Sequence, residues 1–365
     1  MKPLSDRIRQ ANKHLHSCAV SQGGGLGRVY PETDEFTRFP FQRDRDRIIH
    51  TQSFRRLKHK TQVFVAGHGD HYRTRITHTL EVAQISRDIA RTMALNEDLA
   101  EAVALAHDLG HTPFGHAGEE AMKTCLKPFG KSFEHNEQSL RIVTLLENRS
   151  ARYPGLNLSR EILEGIMKHR TPHDLPLKGK VARSPSLEAQ IVNLADEIAY
   201  TAHDTDDGIR AKQFDFRDVA RTTLGRKALK KSLAGGTEIR GALVDLLVSD
   251  LYLETGKRLK RHRIRSLKDV YAAGVPLAAF SPGMNADLKE LRRFLWDHLY
   301  LSSSVLRQAR RGKKIIKTLF DSYLKKPPEK ILDLARKTGG ELPDAVKDFI
   351  AGMTDTFAIE ACGKL

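Results

Sequence analysis

The stretch NEDLAEAVALAHD, residues 96–108, restricts the fold more than any other part of the chain. From Leu99 to Ala106 every residue except Glu101 is small or apolar. A helix with that pattern is apolar on nearly every face and belongs at the centre of an assembly, not on its surface. Asn96 stands where an N-cap is expected. The run ends on His107 and Asp108, and a carboxylate that follows such a segment is carried inside with it. Left unpaired there, it costs of the order of several kcal/mol, so a positive partner is required. Asp196 repeats the situation within AQIVNLADEIAY, among Ile191, Val192, Leu194 and Ile198.

The rest of the chain also reads as helix. In RITHTLEVAQISRDIARTMA, Val82, Ile85, Ile89 and Met93 recur at three- and four-residue steps, the spacing of an amphipathic helix. SFEHNEQSLRIVTLLEN predicts a helix capped by Ser132, with His135 where a capping box would hold Glu or Gln. SPSLEAQIVNLADEIAYTAHDTDDG predicts a long helix closed by glycine. Further helices are expected at about 236–254, 284–300, 302–324 and 342–359. No alternating run is longer than RIRSL, and there is no internal repeat. The expected fold class is therefore all-α, a helical bundle with a smaller, mostly helical C-terminal part. Residues 18–45 read as irregular. Their run SQGGGLGR lacks both the Lys-Ser/Thr and the preceding strand of a phosphate loop, so it reads as a flexible loop. Interruptions at GIRAKQFDF and LAGGTE put a boundary within 210–235. The expected division is an N-terminal helix and irregular segment at 1–45, a core at 46–210 and a C-terminal helical region at 211–365.

Composition removes several function classes. With 365 residues, 40% hydrophobic and 29% charged, the chain has material for a sizeable globular core. No apolar run approaches the roughly 20 residues that span a bilayer, and MKPLSDRIRQANKHLHS lacks the apolar core of a secretory signal. Cys18, Cys125 and Cys362 are odd in number and form no CxxC pair, which argues against a disulfide framework or a thiolate zinc site. That usage fits a reducing cytoplasm. A net charge of +16 suits a polyanionic partner, nucleic acid or a phosphorylated substrate, as well as a plainly solvated basic surface. The basic residues gather at 43–60, 257–268 and 307–314, three separate clusters and not one tail. One Trp and eight Tyr supply no stacking platform between them, so base-specific recognition is not expected.

ALAHDLGHTPFGHAGEE, residues 104–120, gathers His107, Asp108, His111, His116 and Glu119 within thirteen positions. One cation would account together for His78 upstream, His107 and Asp108 at a helix end, and Asp196 downstream. Two imidazoles and two carboxylates form a mixed donor set that leaves positions for water around a divalent ion. Asp196, Tyr200 and Asp204 fall at i, i+4 and i+8 on one helix face. The order H…HD…D, the extension GHTPFGHAGE and the flanks FQRDRDRIIHTQSFRRLKHKTQVF, HYRTRITHTLEVAQISRDIA and NLADEIAYTAHDTDDGI resemble the HD-domain metal-dependent phosphohydrolases. Within these, they resemble the deoxyguanosine triphosphate triphosphohydrolase-like group. The similarity is dense over about 20–210 and thinner at LWDHLY and DFIAGMTDTFA.

The resemblance implies an HD-domain helical bundle that hydrolyses deoxynucleoside triphosphates, dGTP among them, to deoxynucleoside plus tripolyphosphate. It implies His78, His107, Asp108 and Asp196 as metal ligands, and His111, His116 and Glu119 as catalytic positions beside the α-phosphate. His135 matches a further active-site histidine, Arg75 a phosphate contact and Gln62 a sugar contact, while Tyr200 and Asp204 match residues lining the deoxyribose pocket. The implied cofactor is a divalent ion, Mg²⁺ or Mn²⁺ foremost, with Fe²⁺, Zn²⁺, Co²⁺ or Ni²⁺ also accommodated. Implied partners are the dNTP substrate, an allosteric dNTP or single-stranded DNA, and further copies of the chain contacted through 211–365, with no membrane. Two other readings compete: another HD phosphohydrolase, a nucleotidase or phosphodiesterase, and a regulatory protein responsive to nucleotides or single-stranded DNA.

Overall fold

A computed structural model of the chain describes residues 3–33, 35–63, 73–167 and 184–365. Among these residues the regular structure is helical, and the only β pairing consists of isolated bridges such as Thr61 with Thr74. The fold is all-α, as the periodicity requires. The chain forms two compact units, each gathered from separated stretches: residues 1–46, 80–105 and 159–302 make the first, and 47–79, 106–158 and 303–365 the second. The division expected from the sequence is contiguous, whereas these units interleave along the chain.

In the first unit the helix Glu97–Ala106 begins as its sequence dictates, with Asn96 Oδ1 accepting the Leu99 N–H at 3.1 Å. Leu99, Ala100, Ala102, Val103, Ala104 and Leu105 are all buried. Glu101, the one charged residue among them, pairs with Arg45 and Arg87. The helix Leu187–Arg210 is buried along most of its length and packs against Arg160–Met167, Ile239–Arg261 and Pro282–Leu295. Ser186 caps it, accepting from Ala189 N at 3.2 Å. Glycine does not close it: the helix runs through Gly208 to Arg210 because Phe214 folds back over Gly208, where a Cβ would meet the ring at 2.2 Å.

The segment expected to be irregular over 18–45 becomes helical at Pro40, where the helix Pro40–Ile49 begins, and its glycine run meets an acid of the chain itself. The N–H groups of Gly25 and Leu26 donate to the chain's own Glu161 carboxylate, at 2.6 and 2.7 Å. Arg43, Arg45 and Arg47 of the basic cluster at 43–60 are committed internally. Arg43 pairs with Glu32 and Glu35, and Arg45 with Asp46 and Glu101. In the second unit, Arg47 donates from a buried position to the carbonyls of Leu156 and Asn157. Much of the first basic cluster thus stabilises the fold and is not left over for a polyanion.

The second unit packs the helix Ser303–Lys325 against Gly115–Leu126, with Glu329–Thr338, Leu342–Ala351 and Asp355–Gly363 around them. Phe114, Met122, Leu126, Phe133, Ile316, Leu319, Phe320, Val346 and Ile350 form its core. Gly312 sits against Phe114, so a Cβ there would lie 2.7 Å from the ring's Cγ. Two expectations fail here. The helix expected from Ser132 starts at His135 and has no side-chain cap, and it passes into a π-helical turn at Ile142–Leu146. The helix expected over 342–359 is two helices: the first ends at Ala351, and Thr354 caps the second, accepting from Phe357 N at 3.2 Å. The break turns Asp355 into the core, where it is fully buried.

Candidate metal and catalytic site

Two clusters of buried ligating side chains lie in the second unit. In the first, His78, His107 and Asp108 bring one donor atom each within 4.8 Å of one another. His78 stands on the first turn of the helix Arg75–Thr92, and His107 and Asp108 directly follow Ala106, where the central helix stops. His107 Nε2 is 3.4 Å from Asp108 Oδ1, and His78 Nε2 is 3.9 Å from Oδ2. The two rings meet edge-on, at 66° with centroids 5.7 Å apart, so their nitrogens converge on the carboxylate from different planes. Arg75 donates to Asp108 Oδ2 at 2.8 Å, and His111 Nε2 lies 3.0 Å from Oδ1. Burial pushes the Asp108 pKa up, but the charges of His107, Arg75 and His111 outweigh it and hold the group well below the usual carboxylate range. The carboxylate is therefore ionised, and with two imidazoles it makes a nitrogen–oxygen donor set suited to a divalent ion. These residues could hold such an ion.

The second cluster is His111, Glu119 and His135. His111 lies on the turn after Asp108, Glu119 on the helix Gly115–Leu126, and His135 at the start of the helix His135–Arg141. Gly110 makes this approach possible, because a Cβ there would lie 2.1 Å from the His135 carbonyl oxygen. His135 Nδ1 is 3.2 Å from Glu119 Oε2, within hydrogen-bond reach. The rings of His111 and His135 are stacked, 4.0 Å apart and 12° from parallel. An imidazole binds a metal in its own plane at about 2.0–2.1 Å. Two near-parallel rings so stacked cannot both do this for one ion, and the arrangement suits proton handling instead. Burial, then the nearby Arg75 and His135, push the His111 pKa well down, which favours the neutral base. Burial raises Glu119, but the His135 hydrogen bond and the surrounding histidines more than offset it, so its carboxyl stays ionised.

The other residues proposed from the sequence fall in three places. His116 is on the rim: its ring is 67% exposed, with Nδ1 4.0 Å from Glu119 Oε2. Gln62 is half-buried just after the Thr61–Thr74 bridge, and its backbone carbonyl faces Gly115. Asp196, Tyr200 and Asp204 lie in the first unit, all buried on the helix Leu187–Arg210. There the Tyr300 hydroxyl donates to Asp204 Oδ2, and His203 Nδ1 lies 2.7 Å from Oδ1. Burial, followed by the charge of Glu197, raises the Tyr200 pKa, so this hydroxyl keeps its proton.

Sequence reasoning missed several polar residues that the fold brings into play. Lys60 is buried and donates to the carbonyls of His111 and Ala351, at 2.5 and 2.9 Å. Asp355 accepts the N–H groups of Thr61 and Phe114, each at 3.0 Å, and the Thr61 hydroxyl. Tyr300 and Asp355 fall within LWDHLY and DFIAGMTDTFA, the two C-terminal segments already noted for similarity. Lys60 carried no signal, since a lysine in a basic stretch reads as exposed.

The HD domain family matches residues 75–201, and the phosphohydrolase-associated domain family matches 278–364. Deoxyguanosinetriphosphate triphosphohydrolase-like proteins of Brucella anthropi and an Azoarcus species are each 45% identical to this chain. The first alignment covers 91% of this chain and 90% of the relative, the second 97% of both. That of Leptospira interrogans is 42% identical, covering 97% of this chain and 96% of its own. The chain belongs to the deoxyguanosinetriphosphate triphosphohydrolase-like family of HD-domain proteins.

Proposed function

We propose that this protein hydrolyses deoxynucleoside triphosphates, dGTP among them, at the α-phosphorus, releasing the deoxynucleoside and tripolyphosphate. The observation that carries this reading is the adjacency of two unlike clusters. One gathers three side chains that could hold an ion, and its carboxylate lies 3.0 Å from a histidine of the other. His78, His107 and Asp108 would hold the divalent ion, Mg²⁺ or Mn²⁺ first among candidates, with Asp196 as the fourth ligand implied by the resemblance. When bound, such an ion lowers the pKa of water and polarises a phosphoryl oxygen.

The chain's own residues do the rest. His111, neutral and stacked on His135, is placed to take a proton from attacking water, and Glu119 fixes the tautomer of His135. General acid–base assistance of this kind contributes about 10²–10⁴-fold. His116, on the rim, is assigned to the proton for the departing 5′-oxygen. Tyr200 and Asp204 are assigned to the deoxyribose, the ring leaving no room for a 2′-hydroxyl, with Arg75 on the phosphates and Gln62 on the sugar. A homo-oligomer, a regulatory dNTP or single-stranded DNA, and a cytoplasmic site of action complete the reading. Among the described residues no helix is long and apolar enough to cross a membrane.

The test is a dNTP panel with Mn²⁺ or Mg²⁺, with and without a second dNTP or single-stranded DNA, resolved by product. Tripolyphosphate together with deoxynucleoside supports the reading. Orthophosphate or pyrophosphate would instead point to a nucleotidase or phosphodiesterase, and DNA binding without turnover to a regulatory protein.

A further inference from the structure

We propose that Asp348 and Asp355, seven residues apart in sequence, are positioning residues that fix the stack of His111 on His135 from the C-terminal helices. Both are buried, and each reaches one of the two histidine-bearing segments. Asp355 accepts the N–H of Phe114, a residue held at φ +63° in the turn between His111 and the Glu119 helix. A bulky residue in that conformation needs its surroundings to keep it there. Asp355 also ties Thr61, while Lys60 beside it holds the His111 carbonyl and the Ala351 carbonyl together.

Asp348 acts on the other segment. It accepts from Gln138 Nε2 at 3.0 Å and from Arg141 Nε at 3.0 and 2.8 Å, both on the helix that His135 begins. The break between Ala351 and Asp355 lets two acids on successive helices serve two different segments, which a continuous helix at 342–359 would not. The rings 4.0 Å apart are therefore held from both sides by one short stretch of chain. Displacement of a reacting group by about 1 Å can cost on the order of 100-fold in rate.

The kinetic arm of the test rests on the hydrolytic reading above, whereas the exchange arm does not. Asp355→Asn and Asp348→Asn are made in the full chain, with Thr61→Val and Arg141→Met as milder versions in case either acid variant fails to fold. Amide hydrogen exchange should rise by about tenfold or more at residues 110–118 in the Asp355 and Thr61 variants. In the Asp348 and Arg141 variants the same rise should fall at residues 134–141, with the remaining core unchanged. With the best dNTP, kcat should fall by about 10–100-fold while KM stays within about threefold. Exchange unchanged at these amides, or raised evenly across the unit, overturns the proposal. So does a kcat loss matching only the folded fraction. A wild-type protein without dNTP turnover removes the hydrolytic reading and leaves the exchange result to decide the positioning role.

Discussion

Arg75→Met separates the charge of Arg75 from its packing. Methionine keeps an apolar stem of similar length but removes the guanidinium that donates to Asp108 at 2.8 Å. The side chains of both partners are 3–4% exposed, so water screens little of the interaction. Breaking a buried pair from one side typically costs about 3–5 kcal/mol, because the remaining charge stays buried without compensation. Urea unfolding at pH 7.5 in the presence of a chelator measures it directly. Repeating the experiment in saturating Mn²⁺ adds a second reading, because an ion held by His78, His107 and Asp108 meets no guanidinium in the variant. Ligand at about 100 times its Kd stabilises by about 2.7 kcal/mol, and the gain should be larger for the variant than for wild type. The gap between them should therefore narrow. A variant as stable as wild type without metal refutes the buried-pair argument, and a gap that widens with Mn²⁺ refutes the ligand assignment.

Two further expectations follow from the same unit. Burial, then the neighbouring Arg75, pull the Lys60 pKa down to about 7 from its usual 10.5. Between those values the unfolded chain keeps a proton that the folded chain has lost, so this group makes stability rise as pH increases from about 7 towards 10. Urea midpoints of wild type and Lys60→Met across that range should diverge in slope, and parallel curves would rule the assignment out. Gly312→Ala places a methyl 2.7 Å from Phe114. The strain should lower stability by about 1–3 kcal/mol despite a helix-propensity gain of about 1 kcal/mol, and a raised Tm in a thermal melt would show that the helix can shift without cost.

The sequence by itself determined the helical class, the Asn96 cap, the all-round burial of Leu99–Ala106 and the histidine and aspartate that close it. These depend on residues within a few positions of one another, where apolar spacing and capping act directly. His78 was legible as a partner through its resemblance and its place on a helix, and the structure puts it beside His107 and Asp108. Tertiary structure decided what lies beyond that local reach. It stacked His111 on His135, left His116 on the rim and bound Arg75 to Asp108 across 33 positions. It also carried Asp355 to Phe114 across 241. Two elements show why local reading stops where it does. Gly208 looked like a helix end, yet Phe214 packing over it kept the helix going; Lys60 looked like a surface cation, yet two carbonyls from distant segments bury it. Whether a glycine ends a helix or a lysine meets water depends on what packs against it, and that is set by the whole fold.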